Sequence, residues 1–297
     1  MPPTGRFAYS LVVDDASVWF AASDGVRKVP RTGGAEVLVG AGADAVALAL
    51  VGGSVYFFGS YLLGAGPKPG SALALFRVPL EGGPPVQVLD GAWSMVLATD
   101  GVSLFWPHGL GIARMDPPNT TQIDLAPGAR LSATALAVDD AYLYVANFPS
   151  GPDGTIERIP KSGGPPQTLA SKQAHPAAIA VDDTAVYWVD VGYGAAATAL
   201  MRAGKDGANV AALVDDADGA RGIAEVAVDG TNVYWLERGT GRLVKMPKAG
   251  GVQTAIASGL ETPAHLVAHG GNVYWANDTQ GALSVGEPNH AVMTACK

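Results

Sequence analysis

The chain has 297 residues, 19 of them Lys or Arg against 27 Asp or Glu, for a formal charge of −8. Hydrophobic residues make up 48% and charged ones 15%, which supplies an extended core and argues against a disordered chain. The acidic balance argues against nucleic acid or an anionic membrane surface as partner, since both select for Lys and Arg. A single cysteine, Cys296, excludes a disulfide framework and a cysteine-based zinc site, and its penultimate position reads as an incidental thiol.

Along the chain one pattern recurs seven times: LVVDDASVWF, LALVGGSVYFF, VLATDGVSLFW, LAVDDAYLYV, IAVDDTAVYW, VAVDGTNVYW and LVAHGGNVYW. The turn markers are Asp14, Val51, Asp100, Asp139, Asp182, Asp229 and His269, a mean spacing of roughly 42 residues, which suits a four-stranded propeller blade or a helix pair. The segments are short, β-branched or aromatic, and bounded by Gly, Pro, Asn and Asp, so strands are expected. No segment offers a capped helical period.

The sixth unit shows the layout. Strand a covers about Ile223–Val228, strand b Asn232–Glu237, strand c Gly241–Met246 and strand d Val252–Ala257. Between strands c and d a Pro-to-Gly-Gly turn recurs at Pro30–Gly34, Pro79–Gly83, Pro160–Gly164 and Pro247–Gly251; glycine there supplies positive φ. The expected fold is all-β: a seven-bladed β-propeller of four-stranded antiparallel blades, one domain over residues 1–297. Its blades fall at approximately 8–40, 45–90, 94–126, 134–170, 177–214, 223–258 and 264–296. In the last unit the third and fourth strands are expected at Gln280–Val285 and His290–Ala295, with the ring closed by packing of the first blade on the last. Strand a is rich in Ala and Val, as expected where blades converge. Strand b carries Trp19, Tyr56, Trp106, Tyr144, Trp188, Trp235 and Trp275, rings of about 150–250 Å² each that fill the widening gaps between sheets.

Tyr187-Trp188-Val189-Asp190, Tyr234-Trp235-Leu236-Glu237 and Tyr274-Trp275-Ala276-Asn277 resemble the YWTD repeats of low-density-lipoprotein-receptor propellers. The motif's threonine is absent from all three, the cysteine-rich modules that flank those propellers are missing, and those propellers have six blades, so the receptor role does not follow. A weaker likeness, in length, blade count and a Pro107-His108-Gly109 fragment, is to seven-bladed streptogramin lyases. That likeness implies a metal-assisted opening of a cyclic peptide ester, using histidine, glutamate and a divalent ion.

In a propeller, the a–b and c–d turns share one face, and the b–c loops and d–a connections surround the funnel on the other. The pairs Asp14-Asp15, Asp139-Asp140 and Asp182-Asp183 then lie in turns, where their carboxylates accept bonds from turn amides. Lys161, Lys205 and Lys248 share that face and read as solvated. On the funnel face, irregular loops supply candidate ligand-binding residues Trp93, Tyr61, His108, Arg130, Tyr193, Arg221 and Asp190, with Trp93 the leading platform. Candidate catalytic residues are His265, His175, Glu225 and Glu237; candidate metal ligands are Glu225, Glu237 and Asp278. His269 sits less surely near the same rim. No H-x-x-x-H, nucleophile elbow or phosphate loop is present.

Two functions follow as expectations. The first is a monomeric binding module that takes a small molecule, peptide or glycan at its funnel. The second is a lyase or hydrolase that uses a divalent metal ion, with His265 or His175 as base and Glu225 or Glu237 as ligand. No apolar run is long enough to span a membrane, and MPPTGRFAYS lacks a signal-peptide pattern. Likeness to bacterial propellers implies a periplasmic or secreted location, with the export signal lying before this numbering.

Overall fold

The computed structural model of the protein describes residues 8–60, 74–92, 94–149, 153–192, 197–217, 219–277 and 293–296. Its strands form seven antiparallel sheets, each built from consecutive strands. Sheet one comprises Ser10–Val13, Ser17–Ala22, Gly25–Pro30 and Val37–Ala41, and sheet two Ala47–Val51, Ser54–Gly59, Ala74–Pro79 and Val86–Leu89. Sheet three comprises Ala98–Thr99, Leu104–His108, Gly111–Met115 and Ile123–Asp124, and sheet four Ala133–Val138, Tyr142–Asn147, Gly154–Pro160 and Gln167–Gln173. Sheet five comprises Pro176–Val181, Ala185–Asp190, Thr198–Gly204 and Ala211–Asp216, and sheet six Ile223–Val228, Asn232–Glu237, Arg242–Pro247 and Thr254–Ser258. The last sheet contains Pro263–His269, Asn272–Asn277 and Met293–Cys296.

The first strand of each sheet lies against the first strand of the next, and that of the last sheet lies against Ser10–Val13. The sheets therefore close into a ring, an all-β propeller. It has six four-stranded blades, not the seven expected, and the last sheet has three strands among the described residues. The terminal segment, expected as an outer fourth strand at His290–Ala295, instead pairs directly with Asn272–Asn277, Cys296 opposite Asn272. It thereby satisfies the open backbone edge of that strand. The expected third strand at Gln280–Val285 lies outside the described residues. Where first and last sheets meet, Leu11, Val18 and Tyr274 are buried together, and Arg31 Nε donates to the Tyr274 hydroxyl at 2.7 Å.

The aromatic residues of strand b form two columns rather than the single one expected from sequence. Aligned on the a–b turn marker, with Phe105 level with Trp19, the third strand position holds Trp19, Tyr56, Phe105, Tyr144, Tyr187, Tyr234 and Tyr274; the fourth holds Trp106, Trp188, Trp235 and Trp275. Because side chains alternate between faces of a strand, the columns face opposite neighbours. Tyr144 packs with Trp188, Tyr187 with Trp235, Tyr234 with Trp275, and Phe58 and Tyr56 with Trp106. Third-position rings of one blade thus seat on the fourth-position face of the next, burying surface worth about 4–6 kcal/mol gross per ring before entropy is subtracted.

A polar clamp accompanies this packing. In the a–b turns, the first carboxylate caps two amides with Oδ1: Asp14 accepts from Ala16 and Ser17, Asp139 from Ala141 and Tyr142, and Asp182 from Thr184 and Ala185. Its Oδ2 accepts from the third-position ring. Trp19 Nε1 donates to Asp14 at 2.8 Å, and the Tyr144, Tyr187 and Tyr234 hydroxyls donate to Asp139, Asp182 and Asp229 at 2.9, 3.1 and 2.9 Å. The turn lysines, expected to be solvated, reach back to these carboxylates across the seam. Lys161 meets Asp100, Lys205 meets Asp139 and Lys248 meets Asp182 at 2.5, 2.5 and 2.6 Å. Sequence distance hid these pairs; the ring geometry brings the c–d turn of each blade over the a–b turn of the blade before it.

Burial alone would raise these carboxyls, but the lysines and turn amides outweigh it, so Asp100, Asp139 and Asp182 all titrate below the ordinary carboxylate range. The Tyr234 hydroxyl is pushed up to about 12 by burial and then by Asp229. With native values depressed below the unfolded value of about 3.9, the clamps contribute stability above that pH and lose it as pH falls through the native values. Asp139→Ala should cost about 2–4 kcal/mol at neutral pH, from a lost turn cap and charge-assisted bonds. It should also flatten the acid limb of a Tm-against-pH profile. Thermal denaturation from neutral pH to about pH 3 checks both.

Candidate ligand site at the funnel mouth

At the funnel end of strand b, polar residues replace apolar ones: His108, Asn147, Asp190 and Glu237. Two of them tie down the chain entering their own blade. Asn147 Oδ1 accepts from the Ser132 amide at 2.7 Å, and Asp190 Oδ2 from the Ala174 amide at 3.1 Å. Asp190 is only 7% exposed, and its Oδ1 is buried without a hydrogen-bond partner among the described residues. Burial pushes this carboxyl up, against the opposing pull of the Ala174 amide, Trp188 and the charge of His175. Beside it, His175 is held at φ 65° and stacks on Phe148 with ring centroids 4.1 Å apart.

Glu237 is fully buried and saturated with donors. Trp235 Nε1 reaches Oε1 at 3.2 Å, and Thr240 Oγ1 reaches Oε2 at 2.7 Å. Arg242 Nε and a terminal guanidinium nitrogen reach Oε2 at 2.9 and 2.6 Å. Arg221 stands 3.9 Å from Oε1 and donates to Gln253 at 3.0 Å. Glu237 is therefore held as a structural anchor, with three donors on Oε2 and one on Oε1.

Glu225 and His265 lie within the innermost strands Ile223–Val228 and Pro263–His269, at bulges between Ile223 and Val226 and between Ala264 and Val267. Both occupy the position four residues before the a–b turn marker, where other units carry Ser10, Ala47, Val96, Ala135 and Ala178. His265 is held at φ 55°. Glu225 is 3.7 Å from the guanidinium of Arg238, which also donates to the Pro263 carbonyl at 3.2 Å.

The structure thus gathers His175 with Asp190 on sheet five, and Arg221, Glu225 and Glu237 on sheet six with His265 on the innermost strand of the next sheet. His108 and Arg130 are exposed, at sheet three and in the connection after it, and neither bonds to this group. His269 belongs to the opposite face, where its Nε2 is 3.2 Å from Asp15. Trp93, Tyr61, Tyr193 and Asp278 lie outside the described residues. Among the described residues no group of three His, Cys, Asp or Glu is arranged to hold a metal, and Glu237 Oε2 is already taken by three donors. Sequence reasoning missed Phe148, Arg238 and Arg242. Only Arg242 carried a signal, as the cross-strand partner of Glu237.

No protein-family model matches the chain, and no curated protein does. Among solved structures, its fold is similar to that of virginiamycin B lyase from Staphylococcus aureus, with 14% identity, 91% of this chain and 92% of that one covered, and a TM-score of 0.69. It is also similar to a streptogramin B lyase at 16% identity, covering 93% and 94% with a TM-score of 0.64. A chain of a nidogen/laminin complex matches at 19% identity over 76% and 86%, with a TM-score of 0.56. These likenesses define a β-propeller. Among the described residues no helix is long and apolar enough to cross a membrane.

Because the native Asp190 carboxyl is raised, ionising it costs stability as pH rises through the window between its unfolded and native values. Asp190→Asn keeps an acceptor for the Ala174 amide, as Asn147 does for Ser132, and removes that charge. It should raise Tm at neutral pH by about 2–4 °C, the shift expected for roughly 1 kcal/mol in a chain of this size, and the gain should vanish in acid. Paired melts of variant and wild type at the two pH values check this.

Proposed function

We propose that the protein is a monomeric ligand-binding propeller that takes a small molecule, peptide or glycan at the funnel mouth. One observation carries this reading: polar and charged groups crowd the funnel-end positions of sheets five and six and the inner positions of sheets six and seven, while the equivalent inner positions of the others are Ser, Ala or Val. The His175–Phe148 stack offers a flat aromatic face. Arg238, half exposed, and Arg221, partly exposed, offer guanidinium donors, and Asp190 an acceptor at the rim. Flat stacking surfaces with a few convergent polar groups are how pockets orient such ligands. The candidates His108 and Arg130 belong to the outer rim of the same site.

A second reading, a lyase or hydrolase, is favoured by one feature: Glu225 and His265 share a register on adjacent innermost strands, an acid and a base where the rest of the ring is small. The fold likeness to virginiamycin B lyase makes virginiamycin B the substrate to try.

Peptide and glycan arrays followed by calorimetry test the first reading. Arg238→Ala and His175→Ala should each weaken the ligand found by about tenfold or more, and unchanged affinity in both contradicts it. Opening of virginiamycin B that is abolished by EDTA and by Glu225→Gln would establish the second reading instead.

A further inference from the structure

Among the described residues, one seam lacks both members of the clamp. Sheet two has Val51 where the turns of sheets one and three to six carry the capping carboxylate, and its turn is made instead by Gly52 and Gly53 at φ 55° and 76°. Sheet three has Pro117 where Lys161, Lys205 and Lys248 stand. The seam between sheets two and three therefore lacks both the acid and the cation. What remains is Tyr56, buried to 4% exposure, with Arg77 directly across from it on the next strand. Among the described residues, neither Tyr56 hydroxyl nor Arg77 guanidinium has a hydrogen-bond partner. Two equivalent cations are occupied: Arg158 donates to the Lys205 carbonyl and to Gln167, and Arg114 to the Lys161 carbonyl and Asp116; a third, Arg202, lies over the Tyr187 ring with its Nε buried and without a hydrogen-bond partner among the described residues.

At this seam a cleft of about 210 Å³ opens, lined by Tyr56, Arg77, Val88, Met115, Pro117 and Thr120 among others. It lies on the side of the ring, away from the funnel. We propose that the cleft binds a small carboxylate with an apolar body, whose carboxylate takes the place the missing aspartate leaves open. Arg77 supplies a charge-assisted donor pair and Tyr56 a hydroxyl donor; Val88, Met115 and Pro117 supply the apolar wall. At about 30 Å³ per water, the cleft holds roughly seven waters, so the ligand has on the order of seven to ten non-hydrogen atoms. Asp116, next to this wall, is held by Arg114 at 2.7 Å and does not compete for Arg77.

The test is an amide NMR titration of the whole chain with sodium benzoate, and with benzamide as the neutral isostere. The expected result is saturable shifts at Tyr56, Arg77, Val88 and Thr120 with benzoate, at least about tenfold weaker binding of benzamide, and loss of the benzoate response in Arg77→Gln. Val51→Asp, which restores the turn carboxylate beside Tyr56, should also suppress benzoate binding while preserving the spectrum of the folded ring. The proposal is overturned if benzoate produces no saturable shifts, if benzamide binds equally, if the shifts map elsewhere, or if both variants bind as wild type does.

Discussion

A turn aspartate does three jobs at once in this ring. It caps the amides that reverse the chain, accepts from the aromatic residue five positions on, and meets a lysine from the following blade. Each partner alone is worth little in water. Held between packed rings, the three constrain the angle at which one blade sits on the next, and so bear on whether the ring closes. The first and last sheets meet without such a carboxylate, and there Arg31 substitutes by donating to Tyr274 and to the Gly270 carbonyl.

Rigid seams on one face leave the opposite face free to vary. The strand-b ends at the funnel hold Asn147, Asp190 and Glu237, each answering a different local need, and Glu237 shows how a buried charge is tolerated: by several donors and one close guanidinium. Asp190 has less, and its raised carboxyl records that deficit. The same logic explains the cleft between sheets two and three. Removing both members of a clamp leaves no unpaired charge from the pair, only space and the flanking Arg77.

Much of the architecture was legible in the chain because its signals are local. The turn-strand repeat, the Gly-Gly turns and the amide-capping role of the first aspartate of each pair all follow from a few adjacent residues. The ion pairs did not, because Lys205 and Asp139 lie in different repeats and only ring geometry joins them. The two aromatic columns were blurred because Trp and Tyr interchange between neighbouring positions, and a one-residue shift moves a ring to the other face. The final sheet was misjudged for a related reason: the sequence suggests a strand near the end of the chain but not the edge it joins. At the site, Glu225 and His265 were picked out by residue type, whereas their common register required the strand pairing.

The most direct measurement is a double-mutant cycle on Lys248 and Asp182, using Lys248→Met, Asp182→Asn and the pair, with stability read from denaturant unfolding at neutral pH. If the clamp joins blades energetically, the coupling should be about 1–2 kcal/mol and should fade as Asp182 is protonated. Additivity to within about 0.3 kcal/mol would contradict the account and leave ring closure to aromatic packing alone.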